Sequence, residues 1–342
     1  MKLFNLFNLS PFFLTLCLVQ PGSTATTEQS STGQHTSQIS VLDYGAKGDG
    51  QTDDTQAFQT ALDTMGKDAA GGTVFIPRGT YAIKGHLNIP GNVTLEGIWQ
   101  IPTAWTQYKG TTLLVYEGAG QPDGTPFIML NTNATIKGIT IFYPEQVYGN
   151  PPVKYPWTVA CAGGDNPSII DVLIVNPYQA VDFGTRASGR HYIRNLYGQP
   201  LYKGLFISQC YDVGRVENVH FWPFWTIGQT GKGPVGTGEF IAQNGVPFIF
   251  GRTDWQYVIN TFSWGYKIGY HFIKTVQGGT NGNFIGLGAD ATEIAIKVDE
   301  CAPYGLLITN GEFVSFLGNN PIGLDVSAEN TGTIQLQNCA YW

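Results

Sequence analysis

A short β-rich motif recurs through most of this chain and leaves few folds open to it. Two or three strand formers bracket one small or polar residue in ATIKGITI, PSIIDVLIVN, HYIRNLYG, GRVENVHF, YVINTFSW, GNFIGLGA, LLITNGEF and IQLQNCAY. With Gly138, Asp171, Asn195, Asn218, Thr261, Gly286, Gly311 and Asn338 as equivalent points, most copies lie 23 to 27 residues apart. A unit of that length, mostly strand and without its own helix, cannot bury its apolar face alone and must stack on its neighbours. The leucine lattice of a leucine-rich horseshoe is absent. Two intervals are longer, and a solenoid that keeps its pitch expels extra residues as loops, so they are expected to wall a groove. One precedes Asp171 and holds Tyr143, Tyr148, Tyr155 and Trp157. The other lies between Asn218 and Thr261, holds Trp222, Trp225, Phe240, Phe248 and Trp255, and could instead hide a poorly patterned coil. A further aromatic segment, 99–108, leaves the stack earlier. Asn195 and Asn218 share a register and are expected to stack their amides as a ladder. Phe206, Phe221 and Phe262 are expected to stack inside the coil.

Upstream lies DYGAKGDGQTDDTQAFQTALDTMGKDAAGGTVFIPRGTYAI, residues 43–83. A Gly-rich turn leads into a helix with Thr52 as N-cap, Asp53 and Asp54 at its positive end, and Ala57, Phe58, Ala61, Leu62 and Met65 on one apolar face. Gly71 and Gly72 are expected to end it, and Thr73 onward reads as strand, turn and strand. This combination resembles the opening of the pectate lyase superfamily, the group of rhamnogalacturonase/epimerase-like, pectin-degrading and tailspike proteins. The resemblance implies an all-β fold: a right-handed, single-stranded parallel β-helix whose short N-terminal helix caps the apolar end, with the Asp and Gly residues of the opening structural. It carries over no catalytic residue. The Asn-Thr-Asp, Asp-Asp, His-Gly and Arg-Ile-Lys sites of the polygalacturonase-like branch are missing, as is the Arg-Pro-centred signature of the calcium pectate lyases, and Asn131-Thr132-Asn133 lacks the acid.

Residues 1–25 carry Lys2, an apolar run and then small residues, which reads as a secretory signal; 26–38 is a Ser/Thr/Gln-rich linker and 39–342 the β-helix domain. The last rung reaches Trp342 with no polar cover, so a truncated form of a longer protein is expected. The location is expected to be extracellular or periplasmic, with no membrane span. A net charge of −7 argues against general nucleic-acid binding. Cys161, Cys210, Cys301 and Cys339 lack metal-like spacing and are expected to be buried or singly paired rather than zinc ligands.

The densest run of ionisable residues is 182–220, where Arg186, Arg190, Arg194, Lys203 and Arg215 outnumber Asp182, Asp212 and Glu217. Stacked rungs about 4.8 Å apart are expected to gather them in space, a locally basic patch suited to a polyanionic sugar chain. Alternation puts Glu217 on the opposite face from Val216 and Val219 if a corner falls between those two. For a hydrolase the paired carboxylates come from Asp182, Asp212 and Glu217, with Asp254 beyond. For a lyase, Arg186, Lys203, Arg215, His191 and His220 are available to neutralise a uronate and take its C5 proton. Each of these residues is also readable as a solvated rung end. The HFWPFW segment, with Trp222 and Trp225, offers indole rings for sugar stacking that Trp255 and Trp264 would extend; a hydrophobic plug under a long loop is the competing reading. No cofactor is expected; a Ca²⁺ bridge stays open as an alternative, although no compact Asp/Glu cluster supports it. The expected function is a secreted polysaccharide lyase or glycoside hydrolase acting on pectin-like or other uronate-containing glycans. Asp182, Lys203, Asp212, Arg215, Glu217 and His220 are its catalytic candidates, and Arg186, His191, Trp222, Trp225, Asp254 and Trp255 its substrate contacts. A non-catalytic carbohydrate-binding or adhesive β-helix, or a surface structural protein, is the alternative.

Overall fold

The computed structural model describes residues 37–103, 109–147, 149, 151–230 and 237–342, with the side chains of 228–230 and 237–238 outside the description. The expected signal, all but the end of the linker, Tyr148 and the second half of the 99–108 segment (104–108) therefore lie outside the described residues. Gln38, placed in the linker by its composition, already pairs as part of the strand Gln38–Ser40.

The chain winds as a parallel β-helix with three faces. Strands such as Ser168–Val175, Tyr192–Gly198 and Arg215–Phe221 pair in register on both sides of one unpaired residue, at which the strand turns a corner. The part before the corner belongs to face A and the part after it to face B. Face C is a separate nine-stranded sheet running from Leu87–Ile89 to Ile322–Val326. Each coil therefore reads A, corner, B, loop, C, turn.

The corner residues take left-handed angles: Gly138, Asp171, Asn195, Asn218, Asn260, Gly286, Asn310 and Asn338, with φ between 51° and 69°. Gly and Asn enter this region at the least steric cost. Pairing of Val219 with Thr261 puts Asn260, not Thr261, opposite Asn218, and pairing of Ile285 with Thr309 likewise puts Asn310, not Gly311, opposite Gly286. The ladder is present: Asn218 Nδ2 donates to Asn195 Oδ1 at 2.7 Å, Asn195 Nδ2 to Asp171 Oδ1 at 2.6 Å, and Asn338 Nδ2 to Asn310 Oδ1 at 2.7 Å. A second ladder, not foreseen, runs at the turn from face C to face A, where Asn166 donates to Asn133 and Asn133 to Asn92, each at 3.0 Å.

Inside the coil, face C contributes Val159, Val181, Leu205, Phe248, Tyr270 and Ile296, all fully buried and aligned by strand pairing. Phe248 stacks on Tyr270 with ring centroids 4.8 Å apart, and Phe221 packs on Phe248 at 5.2 Å. Phe206 and Phe262 do not join them. Both sit one residue out of the inward register, half-buried on the outside, where Phe206 stacks on Trp157 and Phe262 meets the His220 ring.

Helix α1 (Thr55–Met65) takes the position of the third strand in the first coil and buries Phe58, Ala61, Leu62 and Met65 over the apolar end. It starts three residues after the predicted cap, because Thr52 belongs to the strand Asp49–Asp53, and it ends at Gly66, before Gly71 and Gly72. The acids of the opening are structural. Buried Asp54 accepts the backbone N–H groups of Lys47 (2.7 Å) and Gly48 (3.1 Å), and the N–H of Thr52 holds the exposed Asp49 carboxyl down to about 2. Gln59 presents its side-chain amide to both N–H and C=O of Asn88, the edge of face C, and so stands in for a missing strand.

The interval between Asn218 and Asn260 is one coil with an insertion, not two coils. It leaves face B after Phe221, forms helices α2 (Trp225–Thr230) and α3 (Thr237–Asn244), and returns as the face-C strand Val246–Phe250. Cys161, Cys210 and Cys301 are buried thiols, with burial pushing Cys161 up to about 11. Among the described residues no helix is long and apolar enough to cross a membrane, and no three His, Cys, Asp or Glu side chains gather as a metal-ligand group.

Candidate functional site

Proximity in sequence does not become proximity in space for residues 182–220, because one coil visits all three faces. Asp212, Arg215 and Glu217 lie at or on face A. Asp212 pairs with Arg190 at 3.2 Å, Arg215 is exposed, and Glu217, outward as alternation predicts, accepts from Tyr192 Oη at 3.0 Å. His220, Trp222 and Trp225 lie at face B, where Trp225 is 8% exposed and packs with Leu173 and Val175 under the insertion. His220 is boxed by Trp225 (5.2 Å) and Phe262 (5.0 Å), and burial pulls its pKa down to about 4. This is the hydrophobic plug rather than an open sugar platform, and Trp264 joins its rim through Phe224. His191 is not a substrate contact. It is fully buried in the coil, with Nδ1 2.8 Å from the Ser188 carbonyl oxygen and Nε2 3.2 Å from Gln256 Nε2, and burial lowers its pKa to about 4. Asp254 and Trp255 sit at the turn from face C to face A, beside a cavity of about 620 Å³.

Asp182, Arg186 and Lys203 are the candidates that share face C. Strand pairing lines up one outward row along that face: Met129, Ala160, Asp182, Phe206, Ile249, His271, Lys297 and Asp325. Asp182 and Arg186 line a cavity of about 340 Å³ with Trp157 and Met129, walled by the 122–126 loop. The Asp182 carboxylate is pinned there, accepting from the N–H groups of Gly184 (2.9 Å) and Thr185 (2.8 Å). An adjoining cavity of about 300 Å³ is lined by Trp157, Lys203, Phe206, Asn244 and His271. Lys203 Nζ stands 5.9 Å from the centre of the Trp157 ring and 5.2 Å from that of Tyr202. Together the two cavities form a groove running along the coil axis. From Asp182 to His271 is three strand spacings, about 14 Å.

The far part of this groove was missed by sequence reasoning. His271 Nε2 lies 2.8 Å from Asp299 Oδ2, Lys297 Nζ lies 3.6 Å from Asp299 Oδ1, and Lys274 pairs with Glu300 at 3.1 Å. Burial holds His271 below its ordinary value against the pull of Asp299, so the ring is neutral at pH 7. The signal was available: His271 and Lys297 are one repeat apart at equivalent positions of YHF and IKV. Chemically, the groove offers a neutral imidazole backed by a carboxylate, cations on either side, and an aromatic floor.

The family model for rhamnogalacturonase A/epimerase, pectate lyase-like domains matches residues 38–163. Among curated proteins, alginate lyase 7 of Azotobacter vinelandii is 54% identical over 48 residues, 14% of this chain and 6% of that protein. The pre-neck appendage protein of Bacillus phage phi29 is 41% identical over 104 residues, 30% of this chain and 10% of that one. The chain spans about a tenth or less of the length of these curated relatives. Among solved structures, the A-module of the mannuronan C-5 epimerase AlgE4 of Azotobacter vinelandii superposes with a TM-score of 0.60 at 16% identity, covering 88% of this chain and 76% of that one. The tailspike gp49 of Acinetobacter baumannii bacteriophage Fri1, a capsular polysaccharide depolymerase, gives 0.58 at 13% identity, covering 90% and 57%. At these identities the structural likeness is one of fold.

Proposed function

We propose, from the chain's place in the pectate lyase superfamily of parallel β-helices, that it is a secreted enzyme acting on an anionic, uronate-containing polysaccharide in the face-C groove. The reaction would open with removal of a C5 proton, as elimination and C5 inversion both require. The observation that carries this reading is the His271–Asp299 pair in a groove flanked by Lys203 and Lys297. With Nε2–H donating a hydrogen bond to Asp299, the Nδ1 lone pair is left as the base, and the lysines, with Arg186 further along, would neutralise the sugar carboxylates and so acidify C5–H. The sequence relative whose name concerns alginate supports this substrate class. Asp182, tied to two backbone N–H groups, would orient the chain end of the groove rather than move protons.

The test is incubation with alginate and pectate, following ultraviolet absorbance from unsaturated ends, total reducing ends, and C5 configuration by proton NMR. His271→Gln is expected to lower turnover about 100-fold or more with polymer binding kept, as for loss of a general base, and Lys203→Ala to weaken binding. The acid limb of the activity should fall below the ordinary histidine pKa, since burial shifts His271 downward. Full turnover in His271→Gln would sink this assignment. Retention of polymer without any new ends or inversion would favour a glycan-binding module.

A further inference from the structure

The turn from face C to face A carries a feature that the charged groove does not use. The position that strand pairing lines up at the entry to face A is left-handed at Asn92, Asn133, Asn166 and Arg190, and again at Trp255, where φ is 54°. A bulky ring is costly there, by about 1–2 kcal/mol, and strain of this kind gathers at functional positions. Burial does not offset it, because Trp255 is 61% exposed. The next coil holds the backbone in place: Trp255 N–H donates to Asn281 Oδ1 at 2.7 Å, and Asn281 Nδ2 donates to Asp254 Oδ1 at 3.3 Å. Two coils along, about 10 Å by strand spacing, Tyr304 is 86% exposed.

Between these two rings lies the 620 Å³ cavity, floored by one outward row of face A: Tyr257, Asn283 and Leu307. The floor is bare between the rings for a backbone reason. A Cβ on Gly282 would run into the Gln256 carbonyl, and one on Gly305 into that of Thr333. Among the described residues lining the cavity, Asp254 is the one charged group, and no Lys or Arg reaches it.

We propose that this platform binds a neutral glycan chain, separately from the anionic polymer of the groove. Two exposed flat rings spanning roughly two linked sugars suit the apolar faces of pyranoses, while Asn283 and the Asp254 carboxylate suit their hydroxyls. The lone carboxylate repels a uronate, which sets this surface apart from face C. A peptide adding as a strand has no free edge to join here, since the face-A strands are paired on both sides along the axis.

The experiment is affinity electrophoresis of the full chain in gels containing mixed-linkage β-glucan, galactomannan or alginate. Retention by at least one neutral polymer is expected, and Trp255→Ala and Tyr304→Ala should each weaken it about tenfold, the scale of a lost ring-stacking contact, with alginate retention unchanged. Trp255→Asn separates binding from folding: it should raise the Tm by relieving the left-handed turn while losing neutral-glycan retention. A parent protein that neither neutral polymer retards, or variants retained as the parent is, would overturn the platform. Alginate turnover reads the groove independently, so failure of one assignment leaves the other standing.

Discussion

His191 shows how a single residue's surroundings reverse its meaning. In sequence it stands among arginines and acids and reads as a sugar contact; in the coil it is fully buried between Ser188, Phe183 and Gln256. Burial depresses its pKa to about 4, so the unfolded chain binds a proton between about 4 and 6.5 that the folded chain refuses. Its contribution is therefore full above the unfolded pKa and lost as pH falls through that window. The loss is on the order of 3 kcal/mol at pH 4, and His220 adds in the same direction. Urea titrations at pH 7, 5.5 and 4.5 should record stability falling steeply with acid, and His191→Phe should flatten that slope. An unchanged slope would assign the acid sensitivity elsewhere.

Each rung is held by a corner and a core, and the two were legible to different degrees. The corner announced itself because one chemical demand, a left-handed residue able to bond to its neighbours, repeats once per coil and selects Asn or Gly. Asn195 and Asn218 were readable as a ladder on that ground, whereas Thr261 and Gly311 were each one residue off because in YVINTFSW and LLITNGEF the corner Asn is followed at once by a second small or polar residue. The stacked core was less legible, since alternation alone does not say which side of a strand is inward: Phe221 and Phe248 went in, Phe206 and Phe262 out. Phe248 lies between Phe221 and Tyr270 in that stack. Phe248→Ala should cost about 3–5 kcal/mol in chemical denaturation, the range for truncating a buried aromatic, while Phe206→Ala at the groove floor should cost far less and weaken polymer binding instead.

Across the molecule, the three faces divide the chemistry: cations and the His271–Asp299 pair on face C, an aromatic plug on face B, and on face A an aromatic trough whose one charged lining residue is Asp254. The division predicts a contrast in salt response. Raising ionic strength from 0.01 to 0.1 M shortens the screening length from about 30 to about 10 Å, so alginate retention should fall severalfold and neutral-glycan retention should hold. Equal sensitivity in both would mean that the two polymers share one site. The rung period, the helix that closes the first coil and the left-handed corners were dictated locally, because each follows from a few neighbouring residues that repeat or cap a strand. Which charges meet was a different matter. A coil of some two dozen residues turns through three faces, so Asp182, Glu217 and His220 are parted, while Asp182 and His271, far apart along the chain, fall into one row through parallel pairing across it.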